Sequence, residues 1–187
     1  MSEIMEGAGS GPAAELPHLR PDYSDGPGSL AWLYGCLSDE ASERFCRQVL
    51  EAKGVVSEAP WRALQQALRR SRLRVAGFRD ATKAPAGRLT VAMARLLGSE
   101  RPLWAPALQV WYVARAELRD LLAADLDELG VSRCEFSLSG DSLPGKWSLG
   151  ALLAALPWFE SRHPEQHRDD IGIMLCCLTG CAPLPDE

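Results

Sequence analysis

The chain has 187 residues, of which 47% are hydrophobic and 24% are charged, and its formal net charge at pH 7 is −5. This composition excludes an intrinsically disordered chain, and a domain of this size buries enough surface to fold without a disulfide or a metal. No apolar run is long enough to cross a membrane, and the first eleven residues do not resemble a secretory signal. We therefore expect an intracellular protein, cytoplasmic or nuclear, that makes no membrane contact and keeps its six cysteines reduced.

The N-terminal part of the sequence predicts a tail followed by two helices. Residues 1–27 are rich in glycine and proline and poor in large apolar side chains, a composition typical of a disordered tail. Apolar residues then recur at helical spacing and predict a helix over residues 29–38. A second helix, capped by Ser38 or Asp39, is predicted to end before Gly54, since glycine suits the left-handed conformation at helix ends.

A third helix is predicted to begin around Pro60. Ser57 is suited to capping its N-terminus, and Pro60 lacks the amide that a first turn would leave unpaired. Its inward stripe is Trp61, Leu64, Ala67 and Leu68, which are spaced three and four apart. Helical spacing lapses over residues 75–87, which predicts a loop, and resumes from Leu89 to Gly98.

The second half of the chain predicts the longest helix and then shorter elements. Apolar spacing over residues 104–129 predicts one continuous helix of about 24 residues, or roughly 36 Å. Alternating residues at 134–138 predict a short strand or an extended segment. A helix over residues 148–156 is interrupted by Pro157, and a last helix is predicted over about residues 164–178.

These elements predict an all-α fold. We expect a single globular helical domain of about six to eight helices with at most one short strand, spanning residues 28–181. The disordered N-terminal tail would precede it, and residues 182–187 would form a short C-terminal tail.

The charge of the chain is strongly segregated. Between residues 60 and 95, nine basic side chains accompany one acid, Asp80, so this segment carries +8 and the remainder −13. Arginine binds phosphates and carboxylates through two hydrogen bonds, and Phe78 can stack on a base. The segment therefore predicts a site for a partner protein, an acidic protein tail or a nucleic acid. Its predicted residues are Arg62, Arg69, Arg70, Arg72, Arg74, Arg79, Lys83 and Arg88.

An alternative is that these arginines pair with acids of the same domain. The candidates lie on the predicted long helix and are Glu117, Asp120, Asp125, Asp127 and Glu128. A pI of about 5.3 is also far below the basic values usual for nucleic-acid modules. Both points favour protein or internal pairing over nucleic acid.

Aromatic residues provide a second set of interface candidates. The six tryptophans are more than a core of this size needs, and surplus indoles often anchor interfaces. Trp147, Trp158 and Phe159 lie next to glycine or proline breaks, so we predict that they are exposed anchors.

A possible metal group lies near the C-terminus. His163, His167, Cys177 and Cys181, with Cys176 as an alternative, have spacings that can hold a tetrahedral zinc. The apolar run at residues 171–178 instead favours packing of its cysteines in the core, so we predict no metal and no cofactor. The neighbouring acids, which we interpret as a solvated helix surface, are Glu160, Glu165, Asp169 and Asp170.

No nucleophile or phosphate-binding loop accompanies these groups, so the sequence does not predict an enzyme. It favours a non-enzymatic helical adaptor or accessory subunit that mediates protein–protein interaction within a larger assembly. The alternative is a nucleic-acid-binding subunit that uses the basic face at residues 62–95.

Overall fold

In a computed structural model, residues 37–131 and 149–179 are described, and they form eight α-helices and no strand. The all-α prediction is therefore confirmed for this part of the chain. The helices are α1 (Asp39–Glu51), α2 (Glu58–Arg70), α3 (Ala86–Leu97), α4 (Arg101–Ala114), α5 (Ala116–Glu128), α6 (Leu149–Ala154), α7 (Leu156–Arg162) and α8 (Arg168–Leu178). None of them is long and apolar enough to span a membrane.

Several predicted elements lie outside the described residues. These are the tails at residues 1–27 and 182–187, the strand at residues 134–138 and nearly all of the helix at residues 29–38.

Local sequence signals account for the start of the first two described helices. The Ser38 side chain accepts a hydrogen bond from the Ala41 amide at 3.1 Å, which caps α1 as predicted. Gly54 adopts φ +83 shortly after α1 ends, a conformation that glycine reaches without steric cost. The side chain of Ser57 precedes α2 but makes no capping hydrogen bond, so that detail of the prediction is wrong.

The predicted helix at residues 104–129 is two helices rather than one. The chain leaves helical geometry at Arg115, which has φ −97 and ψ 41, and thereby separates α4 from α5. The Arg115 guanidinium donates to Gln166 at 2.8 Å and lies 5.9 Å from the centre of the Trp111 ring. The contact with Gln166, 51 positions away, holds the side chain at the joint, and the apolar spacing on either side continues as though the helix were unbroken.

The C-terminal helices also differ from the prediction at one boundary. The break at Pro157 is confirmed, because α6 ends at Ala154 and Pro157 lies in the first turn of α7. The last helix begins at Arg168 rather than near residue 164. Residues 163–167 instead form a turn in which the Gln166 amide donates to the His163 carbonyl at 3.0 Å.

The helices pack in two consecutive groups around one core. In the first group α1 packs on α3 and α4, and α2 packs on α4. In the second group α5, α6 and α7 pack on α8, whose residues 169–178 are all buried. Along the chain, the α4–α5 joint connects the two groups. Side chains of both groups nevertheless belong to a single hydrophobic cluster.

A buried polar network joins the two groups and was not predicted. Asp170 on α8 accepts a hydrogen bond from Gln48 at 3.0 Å and lies 3.4 Å from the Arg44 guanidinium and 3.5 Å from that of Arg115. Arg44 also forms an ion pair with Asp169. Both aspartates are only 2% exposed, so their interpretation as a solvated helix surface is wrong. Buried carboxylates require such partners, since ions are poorly solvated in the core.

Candidate functional site

The loop between α2 and α3, residues 71–85, carries the densest positive charge of the described chain and is called the basic loop below. Three buried side chains anchor it to the core: Leu73, Val75 and Ala84. The Phe78 amide donates to the Val75 carbonyl at 3.1 Å, and Gly77 makes the tight turn between them with φ +85. The basic loop is therefore held in a defined shape.

The single acid of the basic loop, Asp80, is used to shape the loop itself. Its carboxylate accepts from the Thr82 hydroxyl at 2.6 Å and the Thr82 amide at 3.0 Å, which caps a short 3₁₀ turn at Ala81–Lys83. These hydrogen bonds, with smaller contributions from Arg69 and Lys83, lower the pKa of Asp80. Arg69 lies 4.0 Å from this carboxylate. Asp80 is thus ionised at neutral pH and offsets only one of the surrounding positive charges.

Two arginines make contacts with the backbone of the basic loop. Arg88 on α3 donates to the Ala76 carbonyl at 2.8 Å, and its guanidinium lies 5.6 Å from the centre of the Phe78 ring. Arg74 donates to the Leu73 carbonyl at 2.8 Å. Because both bonds go to neutral carbonyls, the two guanidiniums keep their full charge at the surface.

Three further cations, Arg70, Arg79 and Lys83, are exposed and have no hydrogen bond or ion pair with any described residue. With the arginines discussed above they define the basic surface, which consists of Arg69, Arg70, Arg74, Arg79, Lys83 and Arg88. All six lie on the basic loop or on the helix ends that flank it.

The other two predicted residues are held by acids close to them. Arg62 pairs with Glu58 one turn earlier on α2, at 2.5 Å, with both side chains exposed. Arg72 pairs at 2.5 Å with Glu100, which precedes α4. The exposed Arg62–Glu58 pair is weak, so a partner can displace Glu58 at little cost, whereas the Glu100 side chain is only 14% exposed and holds Arg72 more firmly.

The alternative prediction, that the arginines of the basic segment pair with acids of the predicted long helix, is wrong for the three of these acids whose ion pairs the structure gives. Asp125 and Glu128 on α5 both pair with Arg162 on α7, at 3.1 and 2.7 Å, and Asp120 lies 3.6 Å from Arg119. The reason is distance. The basic loop meets α4 at its N-terminus through the Arg72–Glu100 pair, whereas α5 begins at the other end of α4, about 20 Å away.

Arg95, the last basic residue of the charged segment, belongs to a different place. It lines a cleft of about 460 Å³ between the start of α1 and the end of α3, together with Asp39 and Glu43. This cleft is at the opposite end of α3 from Arg88. Arg95 is therefore not part of the basic surface.

The predicted aromatic anchors separate into three cases. Trp158 is half-buried, and Arg162 covers its ring at 4.8 Å from the centre. Phe159 is fully buried, so its predicted exposure is wrong. It follows Leu156 by three residues and shares the inward face of α7, where it packs edge-on against Trp158 at 4.9 Å. Trp147 lies outside the described residues.

The histidines and cysteines of the possible metal group lie in different environments. The His163 ring nitrogen lies 2.6 Å from Asp125, so this histidine links α7 to α5, while His167 is exposed and Cys177 is fully buried. Cys181 lies outside the described residues. Within residues 37–131 and 149–179, no three potential metal-ligating side chains come together.

Comparison with known proteins adds no relative. No protein-family model matches the chain, and no curated protein or solved structure is significantly similar to it.

Proposed function

We propose that this protein is a non-enzymatic helical adaptor or accessory subunit, and that it docks through the basic surface onto an acidic face of a partner protein. The observation that carries this proposal is a set of exposed cations that form no described hydrogen bond or ion pair: Arg70 at the end of α2, and Arg79 and Lys83 on the basic loop that buried residues hold in place. Fixed, unneutralised charges attract an oppositely charged partner and set its orientation.

Electrostatic docking is favoured over hydrophobic docking by the remaining surface. Among the described residues, Val55 is the only exposed large hydrophobic side chain. A single such residue does not form the apolar patch that hydrophobic interfaces use. The charged surface is therefore the better candidate for the contact, and the acidic remainder of the chain repels partners that approach elsewhere.

Nucleic-acid binding through the same surface is the alternative. The guanidinium of Arg88 lies over the half-buried ring of Phe78, so that this ring is poorly placed to stack on a base. Contacts to the phosphate backbone alone are the remaining mode, and those are independent of base sequence.

Binding of two defined probes tests the proposal. The full chain is titrated at about 50 and 200 mM salt against a labelled polyglutamate peptide and against an oligonucleotide of matched net charge. We expect salt-sensitive binding of polyglutamate that exceeds binding of the oligonucleotide. Tighter binding of the oligonucleotide would replace the proposal by its alternative, and absence of both would refute docking through this surface.

Matched variants assign the binding to the basic surface. Changing Arg70 and Arg79 together to Glu is expected to weaken polyglutamate binding by about tenfold or more, because four units of charge are reversed at the contact. Changing Arg47 and Arg95 to Glu makes the same change in net charge at exposed positions elsewhere and is expected to alter binding by less than about threefold. Equal losses in the two variants would show that only net charge matters.

A further inference from the structure

Ser71 lies at the end of α2 and its side chain closes that end of the helix. Its hydroxyl donates to the Leu68 carbonyl at 2.6 Å and accepts from the Leu73 amide at 3.2 Å. The Ser71 backbone is extended, with φ −73 and ψ 170, and residues 72–74 continue without regular structure. The half-buried Ser71 hydroxyl therefore lies at the surface, at the junction between the end of α2 and an extended segment without regular structure.

Four arginines flank this hydroxyl within three residues on either side. They are Arg69, Arg70, Arg72 and Arg74, and all four are exposed. The Arg69 and Arg72 side chains retain 58% and 75% of their accessible surface. Arg69 and Arg70 end α2, whereas Arg72 and Arg74 lie in the extended segment that follows Ser71. A serine at such a helix end, with exposed arginines on both sides, is what an enzyme with an acidic substrate groove can bind, since its carboxylates pair with the guanidiniums.

We propose that Ser71 is a phosphorylation site and that its modification switches off the basic surface. The modifying enzyme is a protein kinase with an acidic substrate groove, and the phosphoryl donor is a nucleoside triphosphate. The modification itself is independent of the proposed function, whereas its consequence for binding rests on that function.

The Ser71 oxygen attacks the γ-phosphorus, so an O–P bond forms while the bond from this phosphorus to the bridging oxygen breaks. The nucleoside diphosphate leaves with the bonding electron pair, and the hydroxyl proton passes to a carboxylate of the kinase.

The phosphate acts on the basic surface in two ways. It adds about two negative charges at the centre of the arginine cluster, where adjacent guanidiniums pair with it instead of with a partner. It also removes the hydroxyl donor from the Leu68 carbonyl and brings negative charge to the C-terminal end of α2, where the helix dipole disfavours it. Both effects reduce docking of an acidic partner.

Ser99 is a natural control for this recognition. Its hydroxyl donates to the Leu96 carbonyl at 3.1 Å just after α3, the same local role that Ser71 has after α2. Ser99 is more exposed than Ser71, but within three residues on either side it has only one arginine, Arg101, whose charge Glu100 offsets. Recognition by exposure alone would select Ser99, whereas recognition by charge selects Ser71.

The experiment treats the full folded chain with a purified basophilic serine kinase and ATP and maps the phosphate by mass spectrometry. We expect phosphate at Ser71 and little at Ser99. The Ser71→Ala variant should lose most of the incorporation, and Ser71→Thr should recover it. Phosphate mainly at Ser99 or elsewhere, or none at Ser71, overturns the proposal.

The second measurement is binding of the polyglutamate peptide before and after the kinase reaction. Phosphorylation of the natural chain is expected to weaken binding by about tenfold, and the same treatment of Ser71→Ala should leave binding unchanged. Unchanged binding after stoichiometric modification of Ser71 refutes the switch. If the unmodified chain does not bind polyglutamate, the proposed function fails, and the phosphate map still decides whether Ser71 is the acceptor.

Discussion

Replacing Asp170 by alanine is expected to destabilise the protein by about 3 kcal/mol. This carboxylate is 2% exposed and is shared by Gln48, Arg44 and Arg115. Its removal leaves the Gln48 amide without its acceptor, which costs about 1–3 kcal/mol when the group is buried. Breaking a buried ion pair costs about 3–5 kcal/mol, and we take the lower end because the two arginine side chains retain 20% and 25% of their exposure.

A loss of this size is large for a single domain, whose total stability is about 5–15 kcal/mol. It corresponds to a fall in melting temperature of about 6–12 °C at this chain length. Urea unfolding followed by circular dichroism at 222 nm gives the change in free energy directly, and the slope against urea should stay unchanged because the same surface is exposed on unfolding.

The matched control is Asp120→Ala. Asp120 is 78% exposed and lies 3.6 Å from Arg119, so the same chemical change is expected to cost less than about 0.5 kcal/mol. If Asp170→Ala costs no more than Asp120→Ala, the network does not bind the two helix groups together and the reasoning is refuted.

Three further outcomes are expected. Burial, with a smaller effect of Glu43, raises the pKa of the Cys46 thiol to about 12. Ellman's reagent should therefore label this cysteine only at the rate of unfolding. Rapid labelling of Cys46 in the folded chain, mapped by mass spectrometry, would contradict its burial. The pKa of Asp80 is lowered in the folded state, so its stabilising effect should be present above about pH 4 and disappear as the pH falls through the folded pKa. In urea titrations, the difference in unfolding free energy between the natural chain and Asp80→Ala should therefore vanish at low pH. A difference that persists at low pH would be inconsistent with this role. Gly130 has φ +68 after α5, so Gly130→Ala should cost about 1 kcal/mol in the same assay, and a neutral effect would show that the helix end relaxes.

Local signals in the sequence were sufficient for most of the fold. The Ser38 cap, the turn glycine Gly54 and the break at Pro157 act through atoms within a few residues, so their effects can be read from neighbouring positions. The same reasoning found the segment that contains the basic surface. It did not find that Arg72 would meet Glu100, because that contact depends on how α2 packs against α4.

The errors have a common physical origin in contacts between distant residues. Arg44 and Asp170 are 126 positions apart, so no local pattern connects them. One signal was nevertheless present, because Asp169 and Asp170 lie in the first turn of a helix whose following residues, 171–178, are all apolar, so that this helix has no exposed face for them. The break at Arg115 arises in the same way, since Gln166 and Asp170 hold its side chain from the other half of the chain.

The division into two consecutive helix groups has a consequence for synthesis on the ribosome. The ribosome makes helices α1 to α4 and the complete basic surface before it makes α8, since synthesis runs from the N-terminus. During that interval the Arg44 and Arg115 guanidiniums have no aspartate from α8 to neutralise them. The arrival of Asp169 and Asp170 therefore both completes the core and neutralises these two guanidiniums.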